Sequence, residues 1–337
     1  MKVLIVKRDK LGDMLLTTPM IRILRQAWPE AQVDVLANTY NAWVLHGNPD
    51  VSRILRYQRA KEGGRIHVGA VWQQLCQIIS LRRHHYDWVI VANGEASHRA
   101  VRRASWLGGR RMVSYVDGPE PRVTDPLPIP AGVHEAQRLA QLLAPLGVSI
   151  PEALPAPQFA LPDEADAYAR AWLAEQGLSS GGYITLGLGA RRAKKQPTTE
   201  QIIRWSRHFH DAWGLSTVFM WTPGKSDNPL YPGDDDTAQP VLDAALPWLV
   251  PFRGPLQPAL GLIWHGRTSL FPDSGLMHFA AASPGGVLGF FAEADVSPPP
   301  SQWAPLGPRA RYLEARKAVA ELSDEVVLDA VGRALGA

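Results

Sequence analysis

Phe271-Pro-Asp-Ser-Gly-Leu-Met-His-Phe-Ala-Ala-Ala282 carries a strand into a helix with only a short turn between them. Residues 267–272 are strand-like, Asp273-Ser274-Gly275 makes a small permissive turn, and Leu276 to Ala282 is helix-compatible. Such a turn stands at the carboxyl end of its strand. The free N–H groups and positive end of the helix behind it suit a diphosphate. Asp273 or Ser274 is expected to cap that helix, Gly275 lets a ligand approach the backbone, and His278 lies one turn in.

A second element opens the chain. Met1-Lys-Val-Leu-Ile-Val6 is a short β-branched run of the kind that forms a buried parallel strand. Lys7 to Asp13 breaks the pattern, and Met14 to Trp28 brings apolar residues back at helical spacing, with Pro19 as an expected kink. Gly12 is expected to free the turn, so that Asp13 stands at the rim above the strand ends, where open α/β sheets bind ligands. The alternative is that Asp13 only caps the helix.

Between these two elements strand-like runs alternate with helical ones, the signature of βαβ units and parallel sheets. Strands are expected at 2–6, 32–37, 53–57, 88–92 and 111–115, and helices at 14–28, 40–46, 68–83, 98–108 and 134–144. Pro151, Pro155, Pro157 and Pro162 mark an interdomain connection. A second alternation follows, with helices at 164–176, 199–213 and 238–245 and strands at 183–188, 216–221, 249–252 and 286–291. A last helix runs over 323–335. No Gly-x-Gly-x-x-Gly joins a strand to a helix, which argues against a dinucleotide site.

With 337 residues the chain exceeds one compact core. The single cysteine, Cys76, excludes an intrachain disulfide and reads as a small buried apolar residue among Leu75, Ile78 and Ile79. No leader pattern or membrane-length apolar run is visible, so a cytoplasmic protein is expected. The net charge is only +3, yet Arg82, Arg83, His84, His85, Arg99, Arg102, Arg103, Arg110 and Arg111 cluster in sequence. Such a face suits an anionic membrane, an acidic small molecule or nucleic acid. No nucleic-acid motif is present, so no nucleic-acid partner is expected. Asp234-Asp235-Asp236 is formally an Asp-x-Asp pair but reads as a solvated acidic loop. No metal is expected.

Val3-Leu-Ile-Val-Lys7, Gly12-Asp13 and Thr17-Thr18-Pro19, followed late in the chain by Asp273-Ser-Gly-Leu-Met-His278 and Ala280-Ala-Ala282, together resemble glycosyltransferase family 9, the lipopolysaccharide heptosyltransferases. The resemblance implies an α/β chain of GT-B architecture, two doubly wound Rossmann-like domains facing a central cleft. Residues 1–155 would hold the acceptor and 164–320 the nucleotide sugar, with 321–337 a helix packing back on the first domain. It also implies an inverting transferase with Asp13 as general base. The donor would be ADP-heptose, acting as co-substrate, with no resident cofactor. The acceptor would be an anionic glycolipid, lipid A–Kdo or its heptosylated product, at the inner membrane surface, which makes the protein peripheral there.

Donor contacts are expected from Gly189, Ala190, Lys194, Asp227, Asp273, Ser274, Gly275 and His278, and acceptor contacts from Gly12, Thr17, Arg99 and His134. Lys194 and Pro197 fall on the family's Lys-x-Trp-Pro, with Gln196 in place of the tryptophan. Lys225 and Ser226 stand where the family carries acidic residues, which leaves Asp227 as the ribose candidate. Gly289-Phe-Phe-Ala-Glu293 departs from the family's Leu-Phe-Gly-x-Thr. These departures keep two alternatives open: a relative using another nucleotide sugar or a protein or capsule acceptor, and a non-catalytic nucleotide-sugar binder.

Overall fold

The computed structural model of the chain describes residues 1–57, 61–62, 65–66, 68–190, 192–227, 233–296 and 299–336. The chain divides into two compact units, Met1–Ala160 and Leu161–Ala337. The first contains β1 (Lys2–Val6), α1 (Leu11–Leu15), α2 (Thr18–Ala27), β2 (Gln32–Asn38), β3 (Arg53–Tyr57), the antiparallel pair β4 (Lys61–Glu62) and β5 (Arg65–Ile66), and α3 (Val68–Arg83). β6 (Tyr86–Val91), α4 (His98–Ser105), β7 (Gly109–Tyr115), β8 (Asp125–Leu127) and α5 (Glu135–Gln141) complete it. The second contains α6 (Asp163–Glu175), β9 (Tyr183–Gly187), α7 (Thr199–Trp213), β10 (Ser216–Met220), α8 (Asp235–Asp243), β11 (Leu249–Phe252) and α9 (Leu256–His265). It ends with β12 (Thr268–Pro272), α10 (Gly275–Ala281), β13 (Val287–Phe291), α11 (Pro300–Trp303), β14 (Ala310–Glu314) and α12 (Asp324–Leu335).

Each unit is built on a six-stranded sheet in which every pairing is parallel, ordered β3-β2-β1-β6-β7-β8 in the first and β11-β10-β9-β12-β13-β14 in the second. Leaving out the β4–β5 pair, both follow the doubly wound order 3-2-1-4-5-6. The order reverses between β1 and β6, and again between β9 and β12. Those two points fix where each sheet opens a crevice at the carboxyl ends of its strands.

Burial on both faces explains the uninterrupted apolar runs. Val3, Leu4 and Ile5 in β1 and Ile184 and Leu186 in β9 are fully buried. The first core gathers Leu4, Val6, Val89, Val91 and Val101, and the second Ile184, Trp205, Phe209, Phe219 and Phe290. α12 belongs to the second unit, where its Val327, Ala330 and Val331 join that core.

The expected single helix from Met14 to Trp28 is two helices. Pro19 cannot donate to a carbonyl four residues back, so it sits in the first turn of α2 instead of kinking a longer helix. Thr18 Oγ1 donates to the Leu15 carbonyl at 2.8 Å and closes the break. Gly12 is buried inside α1 and not in a free turn. Cys76 is exposed on α3, contrary to its expected burial, because α3 turns Ile78 and Leu81 inward.

Candidate functional site

In the first unit, the turn after β1 assembles charge beneath a half-buried carboxylate. Lys7, 1% exposed, places Nζ 2.9 Å from Asp9 Oδ2. The Asp9 carbonyl accepts from Asn41 Nδ2 at 3.0 Å, and Asn38 Nδ2 donates to the Arg8 carbonyl at 2.9 Å, so β2 and the residues after it hold the turn. Asp13 lies in the first turn of α1, where Oδ2 accepts from the Lys10 backbone N–H at 3.0 Å. The expected capping role of Asp13 is thus present in part, beside its place at the switch point. Burial pushes its carboxyl above the usual aspartate value and Asp9 adds to the rise, while Lys7 opposes it.

Glu135 completes the group. It is buried in the first turn of α5, and a Cβ on Gly94, in the loop after β6, would lie 2.1 Å from Glu135 Oε1. Only a glycine lets that carboxylate rest there. Burial also raises the Glu135 carboxyl, with Lys7 lowering it and Asp13 raising it. Lys7 and Glu135 therefore join Asp13 electrostatically at the β1/β6 switch point. In the sequence, Lys7 closes the opening motif and Glu135 beside His134 resembles a family acceptor position, but neither was assigned a role. The visible signal for Lys7 was a lysine placed directly at the end of an apolar strand.

The four residues expected at the acceptor are placed differently. Thr17 is fully buried and its hydroxyl donates to the Asp13 carbonyl at 2.8 Å, which supports α1 from behind. Gly12 is buried beside it. Arg99 is exposed in the first turn of α4. His134 is the N-cap of α5, its Nδ1 accepting from the Ala136 N–H at 3.1 Å.

In the second unit, the loops after β9 and β12 meet at their own switch point. Lys195 Nζ lies 2.6 Å from Asp273 Oδ2, and both side chains are largely buried. Lys194, the expected donor contact, is exposed. Gly189 and Gly275 face open space, with nothing within 4 Å of an added Cβ. Ala190 supplies its carbonyl to Gln196 Nε2 at 2.9 Å, and Arg191 lies outside the described residues. Neither Asp273 nor Ser274 caps α10 by its side chain, contrary to expectation. Asp273 is turned to Lys195, and the buried Ser274 hydroxyl has no partner among the described residues. His278 is buried, its ring centroid 6.4 Å from that of Trp303.

The acidic triplet is not a solvated loop. Asp234 is buried, accepts from Gln196 Nε2 at 2.6 Å and from the Thr222 N–H at 2.9 Å, and burial raises its carboxyl. Asp235 accepts from Trp221 Nε1 at 2.8 Å and the Gly224 N–H at 3.0 Å, and Asp236 from Ser226 Oγ at 2.5 Å. The triplet fastens the loop after β10 to α8, leaving Asp227 exposed at its tip. Among the described residues no group of three or more His, Cys, Asp or Glu side chains could hold a metal. Asp234→Ala takes the acceptor from one Gln196 amide N–H and from the Thr222 N–H. We expect a loss of about 2 kcal/mol in urea unfolding, with the slope of the transition unchanged.

No family model matches the chain. A curated relative, lipopolysaccharide heptosyltransferase 3 of Escherichia coli K12, is 30% identical over 144 residues, which span 41% of this chain and 40% of that protein. Three solved structures cover 99% of the chain. They are a family 9 glycosyl transferase of Veillonella parvula (TM-score 0.79, 18% identity, 97% of that chain), E. coli heptosyltransferase WaaC with ADP (0.76, 17%, 100%) and E. coli ADP-heptose lps heptosyltransferase II (0.74, 20%, 98%). At these identities the structural likeness is one of fold. The chain is thus similar in fold, along nearly its whole length, to a family 9 glycosyl transferase and two heptosyltransferases, and in sequence, over those 144 residues, to a lipopolysaccharide heptosyltransferase.

Proposed function

We propose that this chain is an inverting glycosyltransferase that moves heptose from ADP-heptose to the lipopolysaccharide inner core, lipid A–Kdo or its heptosylated product. The observation that carries the reading is Asp13, held at the β1/β6 switch point with its carboxyl raised by burial beside Lys7. A general base is most useful when its pKa lies near the working pH, and burial moves an aspartate in that direction. Asp13 takes the proton of the acceptor hydroxyl as that oxygen attacks the anomeric carbon opposite the leaving diphosphate. Within the second unit, the α10 N–H groups and the Lys195 ammonium suit the diphosphate charge, with Asp273 orienting the lysine. The nucleotide sugar is a co-substrate, and the reading needs no resident cofactor. Heptose and the lipopolysaccharide acceptor are supported by the names of the relatives that share this fold and part of this sequence.

Competition among ADP-heptose, ADP-hexoses and UDP-hexoses, read by mass spectrometry of the lipid A–Kdo acceptor, tests the donor. Addition of one heptose should dominate, and preferential hexose addition would overturn the assignment. The pH profile tests the base. Only ionised Asp13 accepts a proton, so kcat/KM should rise with pH through an apparent pKa above the ordinary aspartate value of 3.8. An acid limb at or below that value would remove Asp13 from the role.

A further inference from the structure

α3 carries apolar residues on both its inner and its outer face. The side packed on the unit carries Gln74, Gln77, Ile78 and Leu81, whereas the solvent side carries Trp72 (68% exposed), Leu75 (48%) and Ile79 (49%). Spacings of three, four and seven residues place these three on one stripe, which Arg83 continues. Ile78 and Leu81 already serve the core, and water gives the helix no reason to turn tryptophan, leucine and isoleucine outward together beside Gln73 and Ser80. A contiguous apolar stripe of this kind marks a surface that another phase or molecule covers.

The surroundings of the stripe identify its occupant. Residues 63–86 contain no aspartate or glutamate. Arg82 and Arg83 are exposed at the end of α3. Gly108 packs on Arg82, a Cβ there lying 3.1 Å from Arg82 Cγ, and Arg82 Nη1 donates to the Trp106 carbonyl at 3.5 Å. This brings Trp106, itself 50% exposed, beside the arginines. Outward tryptophans, aliphatic side chains and arginines without intervening acids match a helix lying in the interface of an anionic bilayer. There the apolar stripe enters the acyl boundary and the guanidinium groups meet lipid phosphates. A second copy of the chain packed parallel across this stripe would bring like-charged arginine ends together; an antiparallel copy is told apart by the sedimentation test below.

We propose that the exposed face of α3, with Trp106, docks the protein on an anionic phospholipid surface. The proposal rests on this helix and its neighbours, not on the transferase reading. It is tested with vesicles that contain neither glycan acceptor nor donor, so either inference can fail alone.

Cosedimentation of the full chain with phosphatidylglycerol–phosphatidylcholine vesicles, against phosphatidylcholine alone, is the experiment. The parent should bind the anionic vesicles preferentially and release with added salt. Arg82→Ala with Arg83→Ala should weaken binding roughly 30-fold, from about 1 kcal/mol per basic side chain near the surface. Trp72→Ser with Ile79→Ser should weaken it at least about tenfold through lost apolar burial. All four positions are exposed, so both variants should melt with the parent. Equal affinity for neutral and anionic vesicles would overturn the proposal, as would undiminished binding by both variants. So would a lipid-free dimer, seen in sedimentation velocity, that Trp72→Ser dissolves, since the stripe would then be a protein contact.

Discussion

Asp13→Asn should lower kcat/KM for heptose transfer by roughly a hundred- to ten-thousand-fold, the range for a lost general base, while donor affinity stays within about twofold. Asparagine keeps the size of the side chain and an oxygen able to accept from the Lys10 N–H, so α1 and the Thr17 contact should survive. What disappears is the carboxylate proposed as the base. The same substitution should raise the melting temperature at neutral pH. Burial raises the folded-state carboxyl above its unfolded value, so between the two values the native state holds more protons than the unfolded chain. Stability therefore falls as pH rises through that window, and at neutral pH the ionised group opposes folding. Removing the charge relieves the strain, and the melting-temperature gain should vanish below the ordinary aspartate value. Isothermal calorimetry with donor, initial rates and thermal melts at two pH values check the three parts. A variant that is both inactive and less stable would mean that Asp13 is mainly structural.

Lys195→Met should be the most destabilising change at the second unit's switch point, costing about 3 to 5 kcal/mol in denaturant unfolding. Its Nζ and Asp273 Oδ2 are 2.6 Å apart, with side-chain exposures of 9% and 16%. Removing the cation leaves a largely buried carboxylate without a counter-charge, and the desolvation already incurred is no longer offset. The loops after β9 and β12 lose their tie at the same time. Lys195→Met with Asp273→Leu should recover most of the loss, because replacing both charges by apolar groups leaves no orphan. Lys194→Met, at an exposed position, should change stability by less than about 0.5 kcal/mol. If all three variants unfold together, the pair has no structural role.

Much of the fold was legible because parallel strands buried on both faces must be written as apolar runs. β1, β3, α3, α7 and β11 begin and end where the pattern changes. The outer strands β8 and β14 escaped for the opposite reason. Ala310-Arg-Tyr-Leu-Glu314 is half-polar because it lies at a sheet edge with side chains in water. α9 was hidden by Pro258 and Gly261, residues that argue against a helix. Pro258 lies in its first turn, where no donor is missed, and Gly261 is demanded by packing, since a Cβ there would approach the Ala165 carbonyl to 2.3 Å.

The site was legible in part. Gly12-Asp13 and Asp273-Ser274-Gly275 lie at the two switch points, as their strand–turn–helix settings implied. Which of two adjacent lysines turns inward could not be read from Lys194-Lys195, because a short 3-10 turn sets the direction. Glu135 stands next to the expected His134, but its role was equally hidden. Its approach to Gly94 depends on a contact between residues far apart in the chain, and no local periodicity encodes it.

The central claim is single-displacement transfer of heptose with Asp13 as base. Nuclear magnetic resonance of the product from ADP-heptose and lipid A–Kdo tests it most directly, by reading the anomeric configuration of the added sugar. One new heptose is expected, its configuration opposite to that in the donor, formed by the parent and absent with Asp13→Asn. Retained configuration, or undiminished transfer by that variant, would contradict it.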